Sequence, residues 1–505
     1  MPNVFAILLA SLFLTLPTVF AQTKQNTKTT VVSSSVKQIT RLNGSSLSFA
    51  EIDQTIQNLM QAGHVTGLGL TVINDNKIVF IKTYGNKNTA SKELIDTATV
   101  FYGASFSKAV FAYLVMQLIQ EGKLELDKTI WSYLNKPLPL YNGYNSLVDD
   151  DRWKLITVRH CLTHTTGFPN WRWLNPKGNK KLELFFTPGE RFAYSGEGLV
   201  LLQLAVEETT NKSIEQLAQE RIFKPFGMTR TSYLWQTAFE SNYAKGYDEK
   251  GVELEKRKRT VANAAGSLET TLADYSRFIQ AVMQGKGLDE KTKQEMITPQ
   301  VAIRSKHQFP SLNTDTLEDT YKNIDLSYGL GWGYFKCAYG PAFFKEGHDD
   351  GWEHYNVNFP DKKTSIIIMS NSSNAESIFK ETLEKIIGDD CTPYKWENYI
   401  PYGSQNIISK SVEIPKPAAE PLSQYVGIYI ADTVKAIVSL ENGQLQIELE
   451  KGGMPKTEMH MEKTDLFSLK LAAIEILFER NDKGDIEKLV MKGSNEQHEF
   501  KKIVQ

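Results

Sequence analysis

Ser105 opens a run in which Val110, Phe111, Leu114, Val115, Leu118 and Ile119 recur at helical spacing, and Gly122 closes it. Apolar residues three and four apart form one stripe of a helix, and so strong a stripe has to be buried. If the helix starts at Ser105, Lys108 sits one turn on, with its amine in reach of the Ser105 hydroxyl. The same Ser-x-x-Lys spelling at Ser34/Lys37 and Ser377/Lys380 lacks this setting. Ser34 lies in a Ser/Thr-rich stretch without apolar periodicity, and Ser377 follows Asn371-Ser-Ser-Asn-Ala, which reads as a loop running into a helix.

An unassisted serine hydroxyl is a poor nucleophile and needs an adjacent base or a lowered pKa. A lysine is that base only where burial or neighbouring positive charge holds its amine neutral, below its usual value of about 10.4. The positive potential at a helix amino end favours both an ionised Ser105 and an uncharged Lys108. Taken alone, the tetrapeptide reads more simply as an N-cap serine followed by a solvated first-turn lysine.

Four further segments change that reading. Gly67-Leu-Gly-Leu-Thr-Val-Ile-Asn-Asp-Asn-Lys-Ile-Val-Phe80 alternates apolar residues about an Asp75-Asn76 turn, which predicts a hairpin. Leu162-Thr-His-Thr-Thr-Gly-Phe168, Pro188-Gly-Glu-Arg-Phe-Ala-Tyr-Ser195 and Ala264-Ala-Gly-Ser-Leu-Glu-Thr-Thr-Leu-Ala-Asp-Tyr-Ser-Arg-Phe278 follow in order. With Ser105-x-x-Lys108 they resemble the serine β-lactamase and penicillin-binding-protein superfamily, in particular its class C-like branch of esterases, D-amino-acid peptidases and β-lactamase-related hydrolases. The resemblance implies an α+β fold, an antiparallel sheet flanked by helices with a helical subdomain. It implies Ser105 as nucleophile, Lys108 as its activator, and Tyr194, in the place of the family's Tyr-x-Asn tyrosine, as general base or proton shuttle. A phenol of ordinary pKa about 10 must then be shifted downward, or share its proton with Lys108. The plainer reading of Tyr194 is an aromatic residue at a helix start, since Gly198 onward reads as a buried helix.

The chain departs from the family pattern twice. Gly196 stands where the second motif has an Asn whose amide binds substrate, with Glu197 beside it as a polar group or a residue placed by the helix dipole. The third motif, Lys-Thr-Gly or His-x-Gly, aligns with Gly347-His348-Asp349-Asp350-Gly351, so that a largely neutral His348 precedes two carboxylates. Asp349 and Asp350 would repel a substrate carboxylate and attract an amine, or else form a solvated turn. Trp171, in Asn170-Trp-Arg-Trp173, is a candidate wall of an aromatic pocket or a packing residue. His164 reads as a structural, hydrogen-bonded histidine. The substrate-binding set expected is therefore His348, Asp349, Asp350, Gly196 and Trp171. Substrates would be esters, or small molecules and short peptides with a free amino end, in preference to penicillins. A binding or sensor protein that kept the fold without the chemistry is the other reading, and the joint presence of Ser105, Lys108 and Tyr194 argues against it.

The 505 residues are too many for one core and suggest two domains with tails. A net charge of −2 with no basic run excludes a nucleic-acid surface. Neither a metal-ligand spacing among the eight histidines nor a phosphate loop or dinucleotide fingerprint is present, so no metal or cofactor is expected. Residues 1–21 read as a secretory signal, with an apolar core Val4–Leu16 and small residues at Val19-Phe-Ala21, which implies a secreted or periplasmic protein without a lasting membrane span. Residues 22–44 read as a flexible tether, 45–403 as the hydrolase domain, 404–421 as a linker and 422–505 as a small β-barrel-like accessory domain. The last reading rests on alternating strands such as Leu445-x-Ile447-x-Leu449 and Ile474-x-Ile476-x-Phe478, with turns at Asn442-Gly443 and Asp482-Lys-Gly484. Cys161, Cys337 and Cys391 allow one disulfide at most.

Overall fold

The computed structural model describes residues 37–312, 317–402 and, with short gaps, 422–503. The expected signal segment and the 404–421 linker lie outside the described residues. Structure begins earlier than the tether reading places it: Gln38–Thr40 pairs antiparallel with Ser46–Ser48. Ile39 and Leu42 are the reason, because these two apolar residues of a polar stretch are buried in the main body.

The Ser48/Glu51 capping box forms as written in the sequence, with Ser48 Oγ accepting from the Glu51 N–H and the Glu51 carboxylate accepting from the Ser48 N–H at 2.8 Å. It starts helix α1, Phe49–Ala62. The buried helix α2, Phe106–Gln120, follows, then α3, Gly196–Thr210, α4, Leu272–Gln284, and α5, Phe379–Ile386.

A nine-stranded sheet divides the main body. Its strands are β1 Gly67–Asn74, β2 Lys77–Asn88, β3 Glu93–Leu94, β4 Val301–Ala302, β5 Ser327–Tyr328, β6 Gly333–Cys337, β7 Gly340–Asp349, β8 Trp352–Phe359 and β9 Thr364–Ser370, in spatial order β4-β5-β6-β7-β8-β9-β1-β2-β3. Asp75 and Asn76 both take positive φ in the β1–β2 turn, the conformation of a two-residue hairpin. Leu68, Leu70 and Val72 of β1, with Ile366 and Ile368 of β9, join α1 and α5 in one core. Ile367 and Met369 turn the other way, into the core built on α2, α3 and α4. The central strands are thus buried on both faces, and this fixes their register.

Two features of this frame make the site. Strand β6 pairs with β7 only as far as Gly333↔Phe344, whereas β7 and β8 pair on to Asp349↔Trp352. From Lys345 onward one edge of β7 is therefore free of a neighbouring strand. Helix α2 points its amino end at that edge: the position a Gly347 Cβ would take is 3.0 Å from the Gly103 carbonyl, so a side chain there would collide with the approach to Ser105. Towards the carboxyl end, eight strands from Gly427–Ala431 to Gln497–Lys502 close a barrel around Tyr425, Tyr429, Leu445, Ile447, Ile476 and Phe478. No helix among the described residues is long and apolar enough to cross a membrane.

Candidate active site

The strand Val100–Tyr102 turns into α2 through Gly103 and Ala104. Ala104 has φ +44°, a conformation that a residue with a side chain adopts only where its surroundings impose it. Ser107 supplies that constraint, donating from Oγ to the Ala104 carbonyl at 2.6 Å and accepting from the Leu268 N–H at 2.9 Å. Ser105 occupies the cap position of α2, yet its side chain makes no capping bond. Its Oγ instead meets Lys108 Nζ at 2.9 Å. Lys108 Nζ also donates to the Ala265 carbonyl at 2.7 Å, in the Ala264–Phe278 segment that the sequence picked out. Burial, aided by the charge of Lys345, holds the Lys108 amine well below the usual lysine range, with Glu346 opposing only in part.

Tyr194 is buried directly before the Ser195 N-cap of α3, whose Oγ accepts from the Gly198 N–H. Its hydroxyl accepts from Lys345 Nζ at 3.0 Å and shares a hydrogen bond with Ser105. Burial first, then the Glu346 charge, push this phenol well above its ordinary value. The downward shift considered from the sequence is absent, because burial and a nearby carboxylate both disfavour the phenolate. A shared network remains, although its lysine is Lys345: Lys108 Nζ faces the Tyr194 ring at 5.0 Å and spends its hydrogen bonds elsewhere. His164 packs its ring 4.3 Å from that of Tyr194, and its Nδ1 accepts from the Ser195 N–H at 3.1 Å. Burial, then Lys108 and Lys345, keep it neutral, as a positioning group under the tyrosine.

The third-motif alignment is corrected by the alternation of β7. Side chains two apart share a face of a strand, so Lys345 and Gly347 look toward α2 while Glu346 and His348 belong to the opposite face. Lys345, fully buried, is the residue that reaches the site, as the first member of Lys345-Glu346-Gly347. Sequence reading missed it by matching the single histidine letter, although the Lys-x-Gly spelling stands three residues earlier. Lys345 Nζ also holds Glu346 Oε1 at 2.7 Å, and Gln308 donates to the same oxygen at 3.0 Å. Burial lowers the Lys345 amine, but Glu346 pulls it back. Opposed by burial, that lysine holds the Glu346 carboxyl below its usual value. His348 lies apart from Ser105, with Nδ1 2.9 Å from Glu353 Oε2 and 2.7 Å from Glu376 Oε1. Its side chain keeps 43% of its surface exposed, so desolvation opposes its charge only in part, and Glu353 and Glu376 raise its pKa well above normal; the largely neutral imidazole expected is not found.

Gly196 and Trp171 do come together at the site. A Cβ on Gly196 would stand 2.8 Å from the Trp171 ring, which occupies the room an asparagine side chain requires. The ring lies 5.6 Å from Lys108 Nζ and stacks on Trp173 with centroids 4.9 Å apart. Glu197, buried, is committed to structure: it accepts from Arg172 Nε at 2.9 Å, Nη2 at 2.6 Å and the Arg172 N–H at 3.0 Å, and so fixes the tryptophan loop. Asp349 ends β7 with Arg259 Nη2 3.8 Å away. Burial and Asp350 raise its pKa against the pull of Arg259. Arg259 also covers the Tyr102 ring at 3.7 Å, so the acidic pair expected to meet an amine is partly countered by a cation that the sequence reading did not single out. Asp350 is exposed in the turn before Gly351.

A serine and a lysine one helical turn apart, a tyrosine at a second helix start and a lysine on a sheet edge define the active-site architecture of serine β-lactamases and penicillin-binding proteins. The chain belongs to that family: the profile described as Beta-lactamase matches residues 52–387. It is 24% identical to "Penicillin-binding protein 4*" of Bacillus subtilis (strain 168) over 443 residues, 79% of this chain and 87% of that one. It is 27% identical to "Protein flp" of Staphylococcus aureus (strain NCTC 8325 / PS 47) over 238 residues, and spans less than half of that protein's length, 45% of each chain being covered. Among solved structures, the octameric penicillin-binding protein homologue from Pyrococcus abyssi superposes with a TM-score of 0.57 at 18% identity, covering 90% of this chain and 100% of that one. The fold is thereby that of the β-lactamase/transpeptidase group, followed by the closed eight-stranded barrel.

Proposed function

We propose that the protein is an exported serine hydrolase working through an acyl-enzyme on esters or on amides and short peptides. Uncharged Lys108 takes the Ser105 proton as Oγ attacks the carbonyl carbon. The Ser105 N–H, at the amino end of α2 where backbone donors lack helical acceptors, and the free edge of β7 bind the oxyanion. Collapse breaks the bond to the leaving group, which receives the proton that Lys108 took up, with Tyr194, held by Lys345, as the relay. Water then cleaves the Ser105 ester by the reverse proton path. The observation that carries this reading is the 2.9 Å contact between Ser105 Oγ and a buried lysine whose amine is held neutral.

The substrate reading rests on two replacements. Trp171 fills the space of an amide donor, which weakens recognition of an acylamide side chain. Glu346 stands between Lys345 and Gly347 where the family motif has a hydroxyl, and by holding the Lys345 amine at 2.7 Å it takes up the positive charge that a substrate carboxylate would meet. Penicillins should accordingly be poorer substrates than neutral esters or amine-bearing D-amino acid derivatives. Labelling with a fluorophosphonate and with a fluorescent penicillin, read by intact mass and peptide mapping, tests both points. A phosphonyl adduct on Ser105 with slow penicillin acylation supports the reading; no adduct, or rapid penicillin turnover, refutes it.

A further inference from the structure

The face of β7 turned away from Ser105 carries a second constellation that the acyl-transfer chemistry does not use. His348 and Glu353 are directly paired across β7 and β8, and the turn Ala375–Ile378 brings Glu376 to them. One nitrogen, His348 Nδ1, lies 2.9 Å from a Glu353 oxygen and 2.7 Å from a Glu376 oxygen. The three ligand atoms all fall within 4.8 Å of one another. A ring nitrogen has one hydrogen to give in that position, so it serves one carboxylate fully and not two. Glu353 is 2% exposed, and water does little to satisfy its charge. Glu397, 5% exposed, lies close enough to Glu376 for their charges to interact, and neither of its oxygens meets a hydrogen-bond donor in good geometry. Two carboxylates and one ring nitrogen thus converge on one point at the end of β7.

We propose that His348, Glu353 and Glu376 form a divalent-cation site, with zinc as the fitting ion. One imidazole nitrogen and two carboxylate oxygens are a ligand set that zinc accepts, with water completing four-coordination. Zinc ligands about 2.0–2.2 Å from the ion stand about 3.3 Å apart in a tetrahedron, so a small outward shift of the observed atoms admits it. The exposed side of His348, whose side chain is 43% accessible, gives an entry path. The sequence hides the set because its third member comes from a turn beyond β9. A bound ion would tie the end of β7 to that turn while leaving Lys345, on the other face, untouched.

The test is zinc retention by the full chain. After stripping with EDTA, reloading with zinc and gel filtration, metal analysis should find about one zinc per chain, and the ion should raise the unfolding temperature. Glu353→Gln and Glu376→Gln should each weaken retention by about tenfold or more and abolish the thermal shift. Lys108→Met, on the nucleophile side, should keep both. Glu376, on a partly exposed turn, guards against a Glu353 variant that fails to fold. Substoichiometric zinc in the unaltered protein, or retention unchanged in the two glutamine variants, overturns the site whatever the outcome at Ser105.

Discussion

Lys108 and Lys345 enter one pocket from different regions, and burial acts on both, yet their surroundings assign them different charges. Lys108 rises from the first turn of α2 among a serine hydroxyl, a carbonyl and aromatic rings, with no carboxylate bonded to it. Lys345 stands on a strand whose next residue places a carboxylate 2.7 Å from its amine. Stripping water from an ammonium disfavours its charge by several kcal/mol, and a hydrogen-bonded carboxylate restores it. On the proposed reading one lysine serves as the base and the other as a cation that lowers the pKa of the first. The burial of a residue alone does not tell its protonation state; the neighbour at hydrogen-bond distance does.

The largest effect is expected at Ser105, the proposed nucleophile. Ser105→Ala should abolish fluorophosphonate labelling and reduce kcat by about 10³-fold or more with unchanged circular dichroism, since only the reacting atom is lost. Undiminished turnover by the folded variant would remove the basis for assigning either lysine a role. Next is Lys345→Met, expected to lower kcat by about 10²-fold. Because the Lys345 charge depresses Lys108, its removal lets the Lys108 pKa rise, and the acidic limb of the kcat/KM profile should move to higher pH. A limb that stays in place would mean the two lysines are not coupled.

Packing around the pocket predicts a smaller effect. Gly196→Asn forces a side chain into the Trp171 ring and should destabilise by about 1–3 kcal/mol in urea unfolding. Adding Trp171→Ala should recover much of that loss, and additive penalties would show that the ring is not what excludes the asparagine. The smallest effect concerns stability at the base itself. Lys108 has a folded pKa below its unfolded one, so between those values the unfolded chain binds the extra proton and stability falls as pH is lowered. At neutral pH, Lys108→Met should therefore inactivate the protein while raising its melting temperature by a few degrees. A lower melting temperature would argue that the amine's two hydrogen bonds outweigh its desolvation.

How much of this was legible in the sequence depends on whether a feature is local. The Asp75-Asn76 turn and the stripe of α2 each rest on contacts a few residues apart, and each forms as read. The barrel strands around Ile447, Ile476 and Phe478 follow from alternation in the same way. Lys345 was missed because the Lys-x-Gly spelling competes with the nearby histidine, and only pairing with β8 decides which of the two faces α2. Trp171 over Gly196, Arg259 beside Asp349, and Glu376 beside His348 join residues 25, 90 and 28 positions apart, and no spacing announces them. The early strand at Gln38–Thr40 was hidden by a Ser/Thr-rich composition in which, among the described residues, Ile39 and Leu42 carry the burial.

The central claim, that a neutral Lys108 works beside a charged Lys345, is tested most directly by following lysine ¹³Cε resonances through a pH titration, with Lys108→Met and Lys345→Met providing assignment. The Lys108 signal should titrate well below the ordinary lysine value, and Lys345 should remain protonated at pH values where Lys108 has already lost its proton. Coincident titration of the two, or a Lys108 that stays protonated throughout the range of activity, would contradict it.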